Sequence, residues 1–126
     1  MTHKTVLEQA NAAIRTGDLE AFLQFCTDDT VWTFVGDRIL RGKDAVRDYL
    51  MDAYKVLPHF TVHRMVAEGD VVTAIGEITL TDDHGRRTHH DYCDVWRFRE
   101  GKLAELQAFV IQTPLVEHGA GGSGQG

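Results

Sequence analysis

The sequence predicts an α+β domain shaped as a cone, in which three N-terminal helices close one face of a long, curved, mainly antiparallel sheet. Three observations carry this. Apolar residues recur at helical spacing only in the part of the chain before Pro58. After Pro58 come four long β-rich segments joined by glycine-bearing turns too short for parallel crossovers, and helices first with sheet second is the α+β order. The 126 residues, 43% apolar and 25% charged, provide for one globular core and not for two domains.

The first helix follows from Val6, Leu7, Ala10, Ala13 and Ile14, and Gly17 comes next, where a left-handed stop is cheap. Asp18 can accept backbone N–H bonds as the N-cap of a second, shorter helix with Leu19, Phe22, Leu23 and Cys26 on one face. The cluster Thr27-Asp28-Asp29-Thr30 ends that helix, Val31 to Val35 is β-branched and aromatic, and Gly36-Asp37 reads as a turn. Gly42 precedes a third helix with Val46, Tyr49, Leu50 and Ala53 on one face, stopped by Pro58. The strands are then His59 to Ala67, Val71 to Thr81, Arg87 to Phe98 and Leu103 to Thr113. Residues 1–116 are expected to form this domain. The last ten residues, EHGAGGSGQG, hold five glycines and too little apolar surface to offset their ordering entropy, so 117–126 is expected to be a disordered tail.

Thirteen basic against nineteen acidic residues give a net charge of −6, which repels a phosphate backbone and makes nucleic acid a poor partner. No apolar run reaches the roughly 18 residues of a membrane span, and MTHKTVLEQA lacks the apolar centre of a secretory signal, so the expected location is cytoplasmic and away from membranes. Cys26 and Cys93 suit a reducing compartment as two buried, unbridged thiols.

The segment AIRTGDLEAFLQFCTDDTVWTFVGDRILRGKDAVRDYL and the later YCDVWRFREGKLAELQAF resemble the SnoaL-like and ketosteroid-isomerase-like branch of the nuclear-transport-factor-like superfamily. The local signatures are a helix ending in Gly-Asp-Leu, Asp-Asp before the first strand, Arg-Gly before the third helix and an Asp-x-aromatic-Arg-Phe strand. The resemblance implies a cone with an internal pocket. It leaves function open among isomerases, cyclases, dehydratases, epoxide hydrolases and non-enzymes. It places Asp94 where ketosteroid isomerases hold a protonated aspartic acid. The position of their oxyanion-hole tyrosine falls on Ala10, and that of their general base on Thr33 or Phe34, so steroid isomerisation by the usual route is not expected.

Strand residues two apart share a face, so His90, Tyr92, Asp94 and Trp96 point together while His89, Asp91, Cys93 and Val95 point away. If Asp94 looks into the cone, His90 and Tyr92 join it as catalytic candidates. A carboxyl in an apolar cone tends to hold its proton, a histidine takes protons near neutral pH, and a tyrosine donates to a developing oxyanion. Trp96, Trp32 and Tyr54 would wall a flat or cyclic ligand. A two-residue loop at His84-Gly85 would pair Thr81 with Thr88 and hence Glu77 with Tyr92, adding Glu77 to the ligand-binding set. The opposite facing, with His90 and Asp94 in solvent and Cys93 and Val95 inside, follows from a slip of one residue.

No metal and no cofactor is expected. His89 and His90 face opposite sides of a strand, and His90 and Asp94 lie about 13 Å apart along it, too far to share an ion. His59 and His63 share a face on an edge strand, no glycine-rich phosphate loop follows a strand, and the one serine, Ser123, lies in the tail. The leading expectation is a cofactor-independent acid/base enzyme of the isomerase, cyclase or dehydratase kind, acting on a small hydrophobic oxygenated molecule. The alternative is a non-catalytic binding or assembly domain, and an epoxide hydrolase comes third for want of paired carboxylates flanking an arginine. Phe109, Ile111 and their neighbours on the uncovered sheet face would suit a homodimer.

Overall fold

The computed structural model describes residues 1–115; the glycine-rich segment 117–126 lies outside them. Helix α1 (His3–Arg15) is capped by Thr2, whose side chain accepts from the Thr5 N–H, and it buries Val6, Leu7, Ala10 and Ile14. Its end is built as the sequence predicts: Gly17 takes φ +80°, its N–H donating to the Ile14 carbonyl, and the Asp18 N–H donates to Ala13. Asp18 then caps α2 (Leu19–Leu23), accepting from the Ala21 N–H. Helix α3 (Lys43–Ala53) buries Val46 and Leu50.

The sheet has six strands: β1 (Cys26–Phe34), β2 (Arg38–Arg41), β3 (His59–Glu68), β4 (Val71–Thr81), β5 (Arg87–Arg99) and β6 (Lys102–Thr113), in the order β2-β1-β6-β5-β4-β3. All neighbours are antiparallel except β1 and β6, which run parallel and close the sheet across the chain's two halves. The helices cover one face, and the core sits beneath them, with Leu7, Leu23, Leu50, Val72 and Leu103 almost wholly enclosed.

Several expectations need correction. The helices are not all N-terminal, since α3 follows the β1–β2 hairpin, and α2 is a single short turn of five residues. The cluster Thr27 to Thr30 does not stand outside the strand but belongs to β1, because Thr30 turns inward and its buried hydroxyl donates to the carbonyls of Leu103 (3.2 Å) and Ala104 (3.0 Å). The β4–β5 turn is longer than two residues. The Asp82 carboxylate accepts from the N–H groups of His84 and Arg86, and the Asp82 N–H donates to Arg86, so Thr81 pairs with Arg87. That shift of one residue sets Glu77 opposite Asp91, Gly76 opposite Tyr92 and Ala74 opposite Asp94. Strand β2 was not anticipated; His59 and His63 are both exposed on the edge strand β3, whose pairing with β4 is bulged between Val62 and Arg64. Cys26 is buried, whereas Cys93 is only half-buried on the outer sheet face; both are free thiols. Among the described residues no helix is long and apolar enough to cross a membrane.

Candidate active site

Between the helices and the inner face of the sheet lies a cavity of about 430 Å³. Strand β5 supplies four of its linings at alternate positions, His90, Tyr92, Asp94 and Trp96, so the inward facing holds. The parity is fixed from both sides: Trp96 is buried against the core, and Asp94 sits in register between Ala74 and Ala108, both of which are themselves buried. Trp32 and Tyr54 line the same space, together with Phe22, Phe34 and Tyr49. Trp32 meets Trp96 edge to face at 5.5 Å between ring centroids and Phe22 at 5.9 Å, giving the interior a rigid aromatic wall.

Asp94 keeps a partial opening towards the cavity, yet burial pushes its pKa up to about 7. No arginine or lysine offsets that burial, which is the sole cause of the shift. A carboxyl so placed holds its proton through much of the neutral range and can both give and take one. Its charge bears on Tyr54 and Tyr92: burial first, then Tyr49 and Asp94, raise the Tyr54 hydroxyl, while burial and then Asp94 raise that of Tyr92 to about 12. Both phenols therefore stay protonated and act as donors. The Tyr92 ring lies over Gly76: a Cβ there would stand 2.7 Å from the Tyr92 hydroxyl and 2.2 Å from the Thr61 carbonyl oxygen. His90 sits further along β5; burial, and then the neighbouring His89, hold its pKa below the ordinary value, and its buried Nδ1 has no partner among the described residues.

Glu77 is not part of this group. With the register set by the five-residue turn it emerges on the outer face, where its carboxylate is shared between His63 Nε2 (2.7 Å) and His89 Nε2 (2.8 Å), while His89 Nδ1 meets the Thr113 hydroxyl at 2.7 Å. Those hydrogen bonds, from His89 first and His63 second, hold the Glu77 carboxyl below its usual range. Sequence reasoning also passed over Asn11, Asp37, Tyr49 and Gln112, which line the cavity from α1, the β1–β2 turn, α3 and β6. Gln112 alone had a usable signal, since it stands two residues along from Val110, and the two pair with His90 and Tyr92 on the same inner face. Of the residues that the resemblance sets against the tyrosine and the base of ketosteroid isomerases, Ala10 is buried, Phe34 lines the cavity and Thr33 alternates outward.

A cone of helices on a mixed sheet, enclosing an aromatic cavity with one isolated carboxyl, defines a small-molecule-sized site on a nuclear-transport-factor-like frame. The chain belongs to the SnoaL-like family: the model of the SnoaL-like domain matches residues 7–106. No curated protein matches it. Among solved structures, the epoxide hydrolase/cyclase-like enzyme SalBIII, described for pyran ring formation in the polyether salinomycin, superposes with a TM-score of 0.79 at 20% identity, covering 86% of this chain and 89% of that one. An M. tuberculosis LEH-like epoxide hydrolase superposes at 0.75 and 20% identity over 84% of this chain and 80% of its own. An NTF2-like protein of unknown function from Burkholderia pseudomallei K96243 gives 0.75 at 18% identity over 86% and 90%. At these identities the likeness is one of fold.

Proposed function

We propose that the protein is a cofactor-independent acid/base enzyme that moves a proton on a small hydrophobic oxygenated molecule held in the cone, with chemistry of the isomerase, cyclase or dehydratase kind. The observation that carries this is Asp94, a carboxyl enclosed by aromatic walls, free of any cationic partner and poised at about 7. In an isomerisation the ionised Asp94 takes a proton from a carbon beside a carbonyl, the Tyr92 hydroxyl donates to the enolate oxygen, and Asp94 returns the proton to another carbon. Protons balance with no further reactant. The protonated Asp94 equally suits epoxide opening, giving its proton to the epoxide oxygen as the C–O bond breaks while a water or a hydroxyl of the same molecule bonds to the carbon and returns a proton to Asp94; epoxide hydrolases are named for two of the similar folds. His90 lies about 13 Å along the strand from Asp94, so the two serve different ends of the ligand and not one reacting atom.

Trp96, Trp32 and Tyr54 supply the walls for a flat or cyclic ligand. On the outer face, exposed Ile75, Phe109 and Ile111 flank Cys93 and suit a second copy of the chain; a monomeric mass by light scattering would remove that part of the reading. A soluble, cytoplasmic setting fits the net charge of −6 and the free thiols.

The test is a screen of cyclic ketones, epoxides and hydroxylated polycycles by mass spectrometry, followed by variants on whichever substrate turns over. Asp94→Asn is expected to lower kcat/KM by about 10²- to 10⁴-fold, and His90→Ala, which removes a polar contact at the other end of the ligand, by roughly 10-fold. Turnover untouched by Asp94→Asn ends the reading of Asp94 as the acid/base group, and no conversion of any compound by the wild type ends the enzymatic reading. A non-catalytic binding domain is the second reading, favoured by the apolar Ala10 and Phe34; it predicts saturable binding of the same compounds with no conversion.

A further inference from the structure

A second cavity, of about 380 Å³, lies outside the cone between α1 and the edge strand β3. That volume is of the size that holds a small molecule. Lys4, Glu8, Asn11 and Arg15 line it from α1 at the spacing of one helix face, and Arg64 lines it from β3 beside the bulge that follows Val62. Its charge runs against that of the chain: three cations face the single carboxylate of Glu8 in a protein of net charge −6. Elsewhere arginines are taken up by carboxylates, Arg47 by Glu20 and Asp44, Arg97 by Asp70 and Arg99 by Asp29. Lys4, Arg15 and Arg64 have no ion-pair partner among the described residues. Arg15 is also held in place. Its guanidinium lies 4.1 Å from the centroid of the Phe60 ring and one N–H donates to the Phe60 carbonyl at 3.4 Å, which leaves its remaining donors for the groove. The cone offers an anion nothing comparable, because its lining holds Asp37 and Asp94 and, among the described residues, no lysine or arginine.

We infer that the groove between α1 and β3 is a binding site for a phosphate monoester, separate from the cone. A phosphate monoester carries a charge of roughly −1.5 to −2 at pH 7 and three acceptor oxygens. Arg15 and Arg64 stand on the two walls of the groove, and each has a planar fork that matches a pair of phosphate oxygens. Asn11, one turn before Arg15 on the same helix face, has an amide N–H to give to a remaining oxygen lone pair. Lys4, at the far end of that face, adds charge that draws an anion in. A single carboxylate fills one fork and leaves the other without a partner, so the groove prefers phosphate. His63 borders the groove with its Nε2 already bonded to Glu77. The site does not depend on the cone being catalytic: Asn11 lies on both linings, but none of the three cations lines the cone.

The experiment is backbone ¹H–¹⁵N NMR on the full chain titrated with glycerol 3-phosphate, with glycerol as the neutral match and succinate as a dicarboxylate. Glycerol 3-phosphate is expected to shift the amides of 4–15 and 62–65 saturably, while glycerol shifts none of them. Arg64→Gln and Arg15→Gln should each weaken that binding by roughly 10-fold, as the loss of a hydrogen bond between charged groups does. Arg47→Gln, outside the groove, should leave it unchanged. No saturable shift of these amides, shifts confined to residues of the cone, or binding that survives both Arg64→Gln and Arg15→Gln overturns the site. Equal shifts from glycerol overturn the reading of it as an anion site, and succinate bound as tightly as glycerol 3-phosphate overturns the choice of phosphate. Arg64 is exposed on the edge strand, so Arg64→Gln decides even if Arg15→Gln, which uncovers Phe60, fails to fold.

Discussion

The phenol of Tyr92 lies across the backbone of Gly76, its partner in register on the neighbouring strand, so closely that a single added Cβ would come within 2.7 Å of the hydroxyl. Gly76 thereby decides where that hydroxyl goes. Gly76 has no positive φ, so the need for glycine here is one of space and not of backbone conformation.

Gly76→Ala is accordingly expected to displace Tyr92 and strain the β3–β4 pairing at Thr61, destabilising the fold by roughly 1–3 kcal/mol, as overpacking does. Tyr92→Phe, which keeps the ring over Gly76, is expected to leave stability nearly unchanged while removing the donor. Denaturant unfolding of both variants checks this, and a Gly76→Ala protein as stable as the wild type would count against the close contact.

The pH dependence of stability follows from Asp94. Its folded pKa of about 7 stands above the ordinary carboxylate value of 3.8, so the folded state holds a proton that the unfolded chain releases. Stability conferred by that proton is complete below about pH 4 and is lost as pH rises towards and through 7. Asp94→Asn, which keeps shape without charge, is expected to gain stability over the wild type at pH 8 and to match it near pH 4. Parallel stability–pH curves for the two proteins would contradict this.

Glu77 should behave as a surface group. Its carboxylate is 42% exposed and shared by two histidines outside the cavity, so Glu77→Gln is expected to cost no more than about 1 kcal/mol. The depressed pKa of Glu77 means that its contribution is present above the ordinary 4.5 and fades as pH falls below it. Turnover or ligand binding reduced by Glu77→Gln as strongly as by Asp94→Asn would return this residue to the site.

The inward set on β5 was legible because alternation is strict along an unbroken strand, and Trp96 at its inner end is too large and apolar to face water. Glu77 was misplaced for a related reason. Its facing depends on the turn that joins β4 to β5, and the carboxylate of Asp82 organises a loop of five residues where the spacing suggested two. Tyr49, Asp37 and Asn11 were missed because they reach the cavity from α3, a turn and α1, elements whose approach to the sheet leaves no mark in local spacing.

The sequence by itself determined the helices, the four long strands, the cap at Asp18, and the shared face of His90, Tyr92, Asp94 and Trp96, because each follows from contacts between residues near in the chain. Tertiary structure alone decided the parallel pairing of β1 with β6, the register across the Asp82 turn and the isolation of the Asp94 carboxyl. These depend on residues tens of positions apart excluding water from one another, and desolvation belongs to the assembled cone and to no segment of it.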